Sequence, residues 1–162
     1  MKKMIAAAAA VLALSAQPVL ANDNDTWIGS DVVALTEEIG MRNHVCPEIL
    51  QAIIEMESSG QQYARNGTCH GLMQVNLTYA GERMRRLGVT DIYDKRQNIE
   101  TGCDLLLELY ETYGDDTYYI LTRYNGWPDA DRRRAEQDWP YYARHVVDRA
   151  RELEQIHGKL DY

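Results

Sequence analysis

Two glutamates, Glu55 and Glu57, stand close together near the end of the largely apolar segment PEILQAIIEMES (47–58). A carboxyl group can act as a general acid if it stays protonated near neutral pH, and partial burial has that effect because it disfavours the charged form. The chemistry of this segment therefore depends on which of the two carboxyls is held in apolar surroundings.

The spacing of apolar residues distinguishes the two glutamates. Pro47 suits the first position of a helix, so the segment is predicted to be helical from 47 to 58. Glu57 then shares a face with three apolar residues, whereas Glu55 continues a polar row. The apolar residues are Leu50, Ile53 and Ile54, and the polar row is Glu48, Gln51 and Glu55. Glu57 is therefore the candidate general acid, although this segment alone is equally consistent with a solvated Glu57 beyond the last buried turn.

Three further motifs follow the Glu57-Ser58 pair: GLMQ at 71–74, Asn98-Ile99 within a predicted helix, and YNG at 124–126. In this order and spacing, the four motifs resemble the catalytic domain of the soluble lytic transglycosylases, which are relatives of goose-type lysozyme. The resemblance runs over residues 32–158. It implies a lysozyme-like helical domain whose cleft binds the glycan strands of peptidoglycan, the bacterial cell-wall polymer, without a cofactor.

The resemblance implies that Glu57 is the single acid and base. It would protonate the oxygen of the β-1,4 bond between N-acetylmuramic acid and N-acetylglucosamine, then take the proton of the muramic 6-hydroxyl as that group attacks the anomeric carbon. The product is a 1,6-anhydro end. Muramidase hydrolases, the first alternative, commonly use two carboxylates about 5 Å or about 6.5–9.5 Å apart. The other candidate acids are interpreted as turn and cap residues: Asp91, Asp94, Asp115 and Asp116.

The same resemblance assigns six residues to substrate binding: Ser58, Gln74, Asn76, Tyr124, Asn125 and Asp138. Gln74 is expected to face Glu57, and the Tyr124 hydroxyl to hold either Glu57 or the transition state. The Ser58 hydroxyl has an alternative partner in the carbonyl groups of its own helix. The chain departs from the family where Asn76 replaces a frequent methionine and where glycine replaces the alanine of the family's YNAG motif. A second alternative function is a non-catalytic peptidoglycan-binding or assembly protein that keeps the cleft.

The elements that must position these residues are mostly helices. Besides 47–58, helices are predicted at 31–41 with Ser30 as the cap, at 78–87, at 95–113, from Asp115 or Asp116 to 124, and at 142–157. A β-hairpin is predicted within 68–76, and residues 125–140 are predicted to form a loop and lid. The fold class is therefore mainly α: an α+β lysozyme-like, compact helical domain with a small β-hairpin beside the catalytic cleft.

Residues 1–21 have the three parts of a secretory signal: two lysines, an apolar run and the small-residue site VLA. The run is shorter than the roughly 20 residues that span a bilayer, so no stable membrane insertion is expected. We predict a flexible leader at 22–30 and one domain at 31–162, secreted or periplasmic and associated with the cell wall. With Lys2 and Lys3 removed, 15 basic and 25 acidic residues give a net charge of −10, which argues against a nucleic-acid partner.

The chain has three cysteines, Cys46, Cys69 and Cys103, whose spacing fits no zinc template, so no metal is expected. An odd number in an exported chain predicts one disulfide and one thiol that is either free or paired with another molecule. We expect Cys69 to pair with Cys103, which would close a loop of about 35 residues and contribute on the order of 3–4 kcal/mol.

Overall fold

The computed structural model describes residues 27–159, which form seven helices and three short strands. The helices are α1 (Ser30–Asn43), α2 (Pro47–Ser58), α3 (Leu77–Leu87), α4 (Lys95–Tyr113), α5 (Thr117–Tyr124), α6 (Ala130–Glu136) and α7 (Tyr141–Ile156). The strands are β1 (Arg65–Asn66), β2 (Cys69–His70) and β3 (Val75–Asn76). In this part of the chain, no helix is both long and apolar enough to cross a membrane. The predicted signal segment and the first five residues of the predicted leader lie outside the described residues.

The predicted fold class, mainly α with a small β element, is confirmed. Helices α2 and α4 have the predicted bounds, since Pro47 starts the first and Gly114 follows the second. The expected cap of α1 is wrong: Ser30 is the first helical residue, and Gly29 occupies the cap position without a side-chain bond. At that position the backbone of Gly29 accepts the N–H groups of Val32 and Val33, so no side-chain cap is needed to begin the helix.

Helix α6 lies inside the segment 125–140 that was predicted to be a loop. Its sequence ADRRRAE is rich in good helix formers, and Arg132 pairs at 2.6 Å with Asp129 and with Glu136, about one turn away on either side. Ala130 is completely buried, and α6 packs on α5. This part of the chain is therefore a docked helix rather than a continuous loop.

Helix α2 lies in the core. Its apolar residues Leu50, Ile53 and Ile54 are completely buried, and the helix packs on α1 and α7. Helix α4 packs against α1 and α5 and buries Ile99 and Cys103. The end of α2, which carries Glu57, is therefore fixed by helices that come from both halves of the chain.

The polar row of α2 is also buried, which the sequence pattern did not predict. Glu48, Gln51 and Glu55 are only 1, 0 and 8% exposed. The Nε2 of Gln51 donates to Thr36 at 3.1 Å, the ammonium of Lys159 lies 2.6 Å from Glu48, and Glu55 pairs with an arginine of α7. Buried polar groups are stable when they are hydrogen-bonded or paired. The polar row therefore lies inside the protein, where its residues bind other helices and the end of the chain's described part instead of solvent.

All three cysteines are free thiols, so the predicted disulfide between Cys69 and Cys103 is not formed. Cys103 is 1% exposed and belongs to the core, where burial raises the pKa of its thiol to about 12. Cys69 lies instead on β2, where it lines a surface cleft. The two thiols therefore occupy different surroundings.

The three strands form one antiparallel sheet in the order β1-β2-β3. Cys69 stands opposite Asn66 on one side and opposite Asn76 on the other. The predicted hairpin within 68–76 is thus present, and β1 extends it across the Asn66-Gly67 turn. The loop between β2 and β3 carries the GLMQ motif.

Asn98, near the start of α4, holds that loop in place. Its Oδ1 accepts the N–H of Met73 at 2.8 Å, and its Nδ2 donates to the carbonyl oxygens of His70 at 3.0 Å and Ile92 at 2.9 Å. Gly71 permits this approach, because a Cβ there would lie 2.1 Å from the Nδ2 of Asn98. Its φ of +78° also favours glycine. The GLMQ and Asn98-Ile99 motifs are therefore in direct contact, through the Asn98 side chain and the backbone of the GLMQ loop.

Replacing Gly71 with alanine is expected to lower the free energy of unfolding by about 2–4 kcal/mol, since the new methyl group would displace Asn98 and alanine is strained at positive φ. Gly81→Ala in α3 is the matched control, because a Cβ there meets nothing within 4 Å. Its better helix propensity is expected to add about 0.5–1 kcal/mol. Urea unfolding of both variants measures the two changes, and changes of the same sign would contradict the role given to the Gly71–Asn98 contact.

Candidate active site

A cleft of about 460 Å³ lies beside the end of α2, with walls from the sheet, α3, α4 and the end of α5. Five of the residues predicted from the sequence line it together: Glu57, Gln74, Asn76, Tyr124 and Asn125. The other two, Ser58 and Asp138, are not among the lining residues. The structure therefore brings together residues from α2, the β2–β3 loop, the start of α3 and the end of α5.

Glu57 is half-buried and accepts a hydrogen bond at 2.7 Å from the hydroxyl of Tyr142 on α7. Burial raises the pKa of the Glu57 carboxyl above its usual value, and the bond from Tyr142 partly offsets that rise. Within residues 27–159 the carboxyl takes part in no ion pair. The solvated alternative for Glu57 therefore does not describe this structure, and the carboxyl is suited to hold a proton that it can donate.

Glu55 differs from Glu57 because a cation neutralises it. The Nε of Arg149 lies 2.7 Å from one of its oxygens, and the backbone N–H of Trp27 donates to the other at 3.2 Å. Both oxygens of Glu55 are thus held by donors of the protein. In the structure, an arginine partner rather than exposure to solvent therefore distinguishes Glu55 from Glu57.

Tyr142 is a neighbour of Glu57 that the sequence reasoning did not single out, because the residue was used only as the start of the predicted helix 142–157. It is 7% exposed. Burial, followed by the charge of the neighbouring Glu57, raises the pKa of Tyr142 well above its usual value, so the hydroxyl keeps its proton and acts as the donor. A signal was present, since a tyrosine in a buried stripe needs a partner for its hydroxyl.

Gln74 lines the cleft with its side-chain amide fixed by the protein. Its Nε2 donates to the carbonyl oxygens of Gly71 at 2.9 Å and Ala64 at 3.2 Å. Both partners are acceptors, so the nitrogen must face them and the side-chain oxygen is left for other contacts. Gln74 is therefore expected to accept a hydrogen bond from a bound molecule, rather than to both donate and accept.

Tyr142, rather than Tyr124, donates to the Glu57 carboxyl. The hydroxyl of Tyr124 donates to the carbonyl oxygen of Met73 at 3.0 Å and not to Glu57. Tyr124 therefore connects α5 to the GLMQ loop. Its hydroxyl oxygen still has acceptor capacity toward the cleft, which Tyr124 lines.

Asn76 and Asn125 line the cleft and also lie at helix ends: Asn76 at the start of α3 and Asn125 at the end of α5. The Oδ1 of Asn76 caps α3 by accepting the N–H of Thr78 at 3.0 Å, and the Oδ1 of Asn125 accepts the indole N–H of Trp127 at 2.8 Å. In the described part of the chain, neither amide nitrogen donates a hydrogen bond. Both side chains therefore present donors to the cleft.

Ser58 and Asp138 are corrections to the predicted substrate-binding set. The Ser58 hydroxyl donates to the carbonyl of Ile54 at 3.1 Å within its own helix, and the side chain is 7% exposed. Asp138 is exposed and pairs with Arg133 at 3.3 Å. The Ser58 hydroxyl is therefore occupied by its own helix, and the Asp138 carboxylate by a neighbouring arginine.

The loop acids stand where turn and cap residues were expected. Asp94 and Asp116 cap α4 and α5 by accepting the N–H groups of Gln97 and Tyr119, and Asp91 accepts the N–H of Tyr93 in a turn. None of these acids is among the residues that line the cleft. Three lining residues that the sequence did not single out are Tyr79, Arg83 and Arg123.

The side chains with the best geometry for a metal lie away from the cleft. In the described chain, ligand atoms of Cys46, Glu48 and Glu154 lie within 4.8 Å of one another. Burial, and then the charge of Glu48, raise the pKa of the Cys46 thiol to about 12, and Lys159 already neutralises Glu48. The Cys46 thiol donates to Glu48 at 3.3 Å and to Glu154 at 3.5 Å, so this group is described as a hydrogen-bonded cluster.

Comparisons with known proteins agree with this arrangement. A family model described as the transglycosylase SLT domain matches residues 34–142. A transglycosylase of Enterobacteria phage PRD1 is 33% identical over 95 residues, which are 58% of this chain and 34% of the phage protein. The X-ray structure of an inactive glutamate-to-glutamine mutant of lytic transglycosylase Slt from Pseudomonas aeruginosa superimposes with a TM-score of 0.64 at 18% identity, over 79% of this chain and 24% of that one. The last match supports the lysozyme-like fold, and the chain spans only a part of either relative.

Replacing Tyr142 with phenylalanine is expected to raise the pKa of Glu57 further, because the bond that favours the carboxylate is lost. NMR titration of ¹³C-labelled glutamate carboxyls measures this pKa without an activity assay. Tyr141→Phe is the control on the same helix, since that hydroxyl faces His145 at 3.3 Å and the side chain is exposed. A Glu57 titration that stays in place, or moves to lower pH, in Tyr142→Phe would refute the contact's role.

Proposed function

The chain belongs to the family of transglycosylase SLT domains, and from that premise we propose that it is a peptidoglycan lytic transglycosylase. It cleaves the β-1,4 bond between N-acetylmuramic acid and N-acetylglucosamine and leaves a 1,6-anhydromuramoyl end. Glu57 is the single acid and base, and the reaction needs no cofactor. The substrate is a polymer outside the cytoplasmic membrane, so the protein acts in the periplasm or at the cell wall.

One observation carries this proposal: Glu57 is the one carboxylic acid among the described residues that line the cleft. Hydrolysis with retention or inversion commonly requires a second carboxylate within about 10 Å on the other side of the sugar. A cleft with a single carboxyl instead suits a reaction in which the sugar supplies its own nucleophile. The inactive relative from Pseudomonas aeruginosa also differs from its parent by a glutamate-to-glutamine change, which fits dependence on one carboxyl.

The proton path uses one carboxyl in both directions. Protonated Glu57 donates to the glycosidic oxygen as the bond to the anomeric carbon breaks, and the N-acetylglucosamine end leaves with that proton. The muramic 6-hydroxyl oxygen then bonds to the anomeric carbon, and its proton returns to the Glu57 carboxylate. No water is consumed. The hydroxyl of Tyr142, 2.7 Å from Oε1, stabilises the carboxylate between the two transfers.

The remaining polar groups of the cleft position the sugars. Gln74 offers an oxygen to a sugar hydroxyl or acetamido N–H, whereas Asn76 and Asn125 offer amide donors. The exposed ring of Tyr79, 81% accessible at the rim on α3, is a surface on which a sugar ring can stack. The cleft thus combines a few directed polar groups with an apolar wall, as in other ligand sites.

Digestion of purified peptidoglycan by the protein is expected to release fragments that end in 1,6-anhydromuramic acid. Mass spectrometry identifies them because each is lighter by one water than the matching reducing-end fragment. Release of reducing ends alone would make the protein a muramidase hydrolase. Binding to peptidoglycan with no soluble fragments would make it a binding or assembly protein.

Glu57→Gln keeps the shape of the side chain and removes the transferable proton, so turnover is expected to fall by about a thousandfold. The release rate of anhydromuropeptides measures the loss. Asp115→Asn, an exposed change in the turn before α5, is the control and is expected to stay within about twofold of the parent. Comparable losses in both variants, or near-normal turnover by Glu57→Gln, would remove Glu57 from the mechanism.

A further inference from the structure

Arg123, the residue before the YNG motif, lines the cleft at the end of α5 and is half-buried. Its Nη2 donates to the hydroxyl of Tyr113 at 2.7 Å, and its guanidinium carbon lies 4.6 Å from the centre of the same ring. Tyr113 therefore contacts the guanidinium through both its ring and its hydroxyl group. Such stacking fixes the plane of the arginine and preserves its charge.

Arg83, the other arginine of the cleft, is neutralised by its own protein. It lies 2.9 Å from Asp104 and 2.5 Å from Glu108, both on α4. Arg123 forms no such pair with any carboxylate in the described part of the chain. Arg123 therefore gives this wall of the cleft a positive charge that no carboxylate of the described residues pairs with.

We propose that Arg123 binds a carboxylate of the peptide attached to muramic acid and thereby selects strands that carry peptides. This inference rests on the proposed function. The sugars of peptidoglycan are otherwise neutral, and their carboxylates come from the peptide attached to muramic acid or from the lactyl group that remains when the peptide is removed. A guanidinium held at a fixed orientation can bind either carboxylate through two parallel N–H bonds.

The protein as a whole has a formal net charge of −8, so long-range attraction does not bring an anionic polymer to it. A local arginine in the cleft therefore has a clear purpose: it offsets the repulsion where the strand must lie. Its neighbours Tyr124 and Asn125 also line the cleft, so a carboxylate bound at Arg123 would belong to the same strand as the bond to be cut.

Three substrates test the inference with Arg123→Gln. The first is glycan carrying native peptides, the second is the same glycan with amines acetylated and carboxylates converted to methylamides, and the third is glycan stripped of peptide by an amidase, which leaves the lactyl carboxylate. The loss in kcat/KM is expected to be about tenfold larger on the first substrate than on the second, as for one charged hydrogen-bonded contact. The third substrate lacks the peptide, so the loss on it is expected to be as small as that on the second; a loss as large as that on the first would show that Arg123 also binds the lactyl carboxylate and would overturn the selection of strands that carry peptides.

Arg144→Gln, an exposed change on α7, controls for the removal of one positive charge, and the thermal midpoint of each variant controls for folding. Arg123→Lys keeps the charge without the planar fork and is expected to lose less than Arg123→Gln; it serves for the comparison if the glutamine variant does not fold. Equal losses on native and methylamidated glycan would overturn the inference while leaving the transglycosylase proposal intact. Failure of the unmodified protein to release anhydro ends from any strand would overturn both.

Discussion

The burial of the Glu57 carboxyl without a cation is the constraint on which the site depends. Desolvation raises its pKa, and among the described residues the tyrosine of α7 is the group that partly offsets it. Because the folded-state pKa lies above the unfolded value, the folded protein holds the proton more tightly than the unfolded chain does. The associated stability is complete below the unfolded pKa and is lost as the pH rises through the folded one. The site therefore trades stability near neutral pH for a carboxyl that can deliver a proton.

The opposite wall depends on a different kind of interaction, the buried amide of Asn98. It satisfies three backbone groups of the β2–β3 loop and the turn before α4, and the same loop supplies Gln74. Met73, whose carbonyl accepts the Tyr124 hydroxyl, packs its sulfur where a Cβ of Gly102 would lie, at 2.5 Å. Contacts of the Asn98, Tyr124 and Met73 side chains therefore fix the loop relative to α4 and α5, so this wall of the cleft is held by helices.

Six of the seven helices in residues 27–159 follow from local patterns in the sequence, which are proline and glycine at helix ends and apolar periodicity. Motifs in a familiar order predicted seven site residues, and five of these line the cleft. What did not follow were pairings between distant parts of the chain. Tyr142 meets Glu57 across 85 residues and Arg149 meets Glu55 across 94, and no pattern within either helix encodes such a meeting. Helix α6 was missed for a local reason. Its residues favour a helix, but the NGWPDAD sequence at 125–131 and the three adjacent arginines are typical of a loop.

The three acids of α2 show why a binary pattern assigns carboxylates poorly. Glu48, Glu55 and Glu57 all lie on one helix in or near the core, yet each has different partners. Glu48 receives Lys159 and His157, which hold its pKa below the usual value although burial alone would raise it. Glu55 receives Arg149. Glu57 receives a neutral hydroxyl, and its pKa moves upward. All three carboxyls are at least partly buried, so burial alone does not distinguish them. Glu57 differs because its partner is a neutral hydroxyl rather than a cation, and because it lines the cleft.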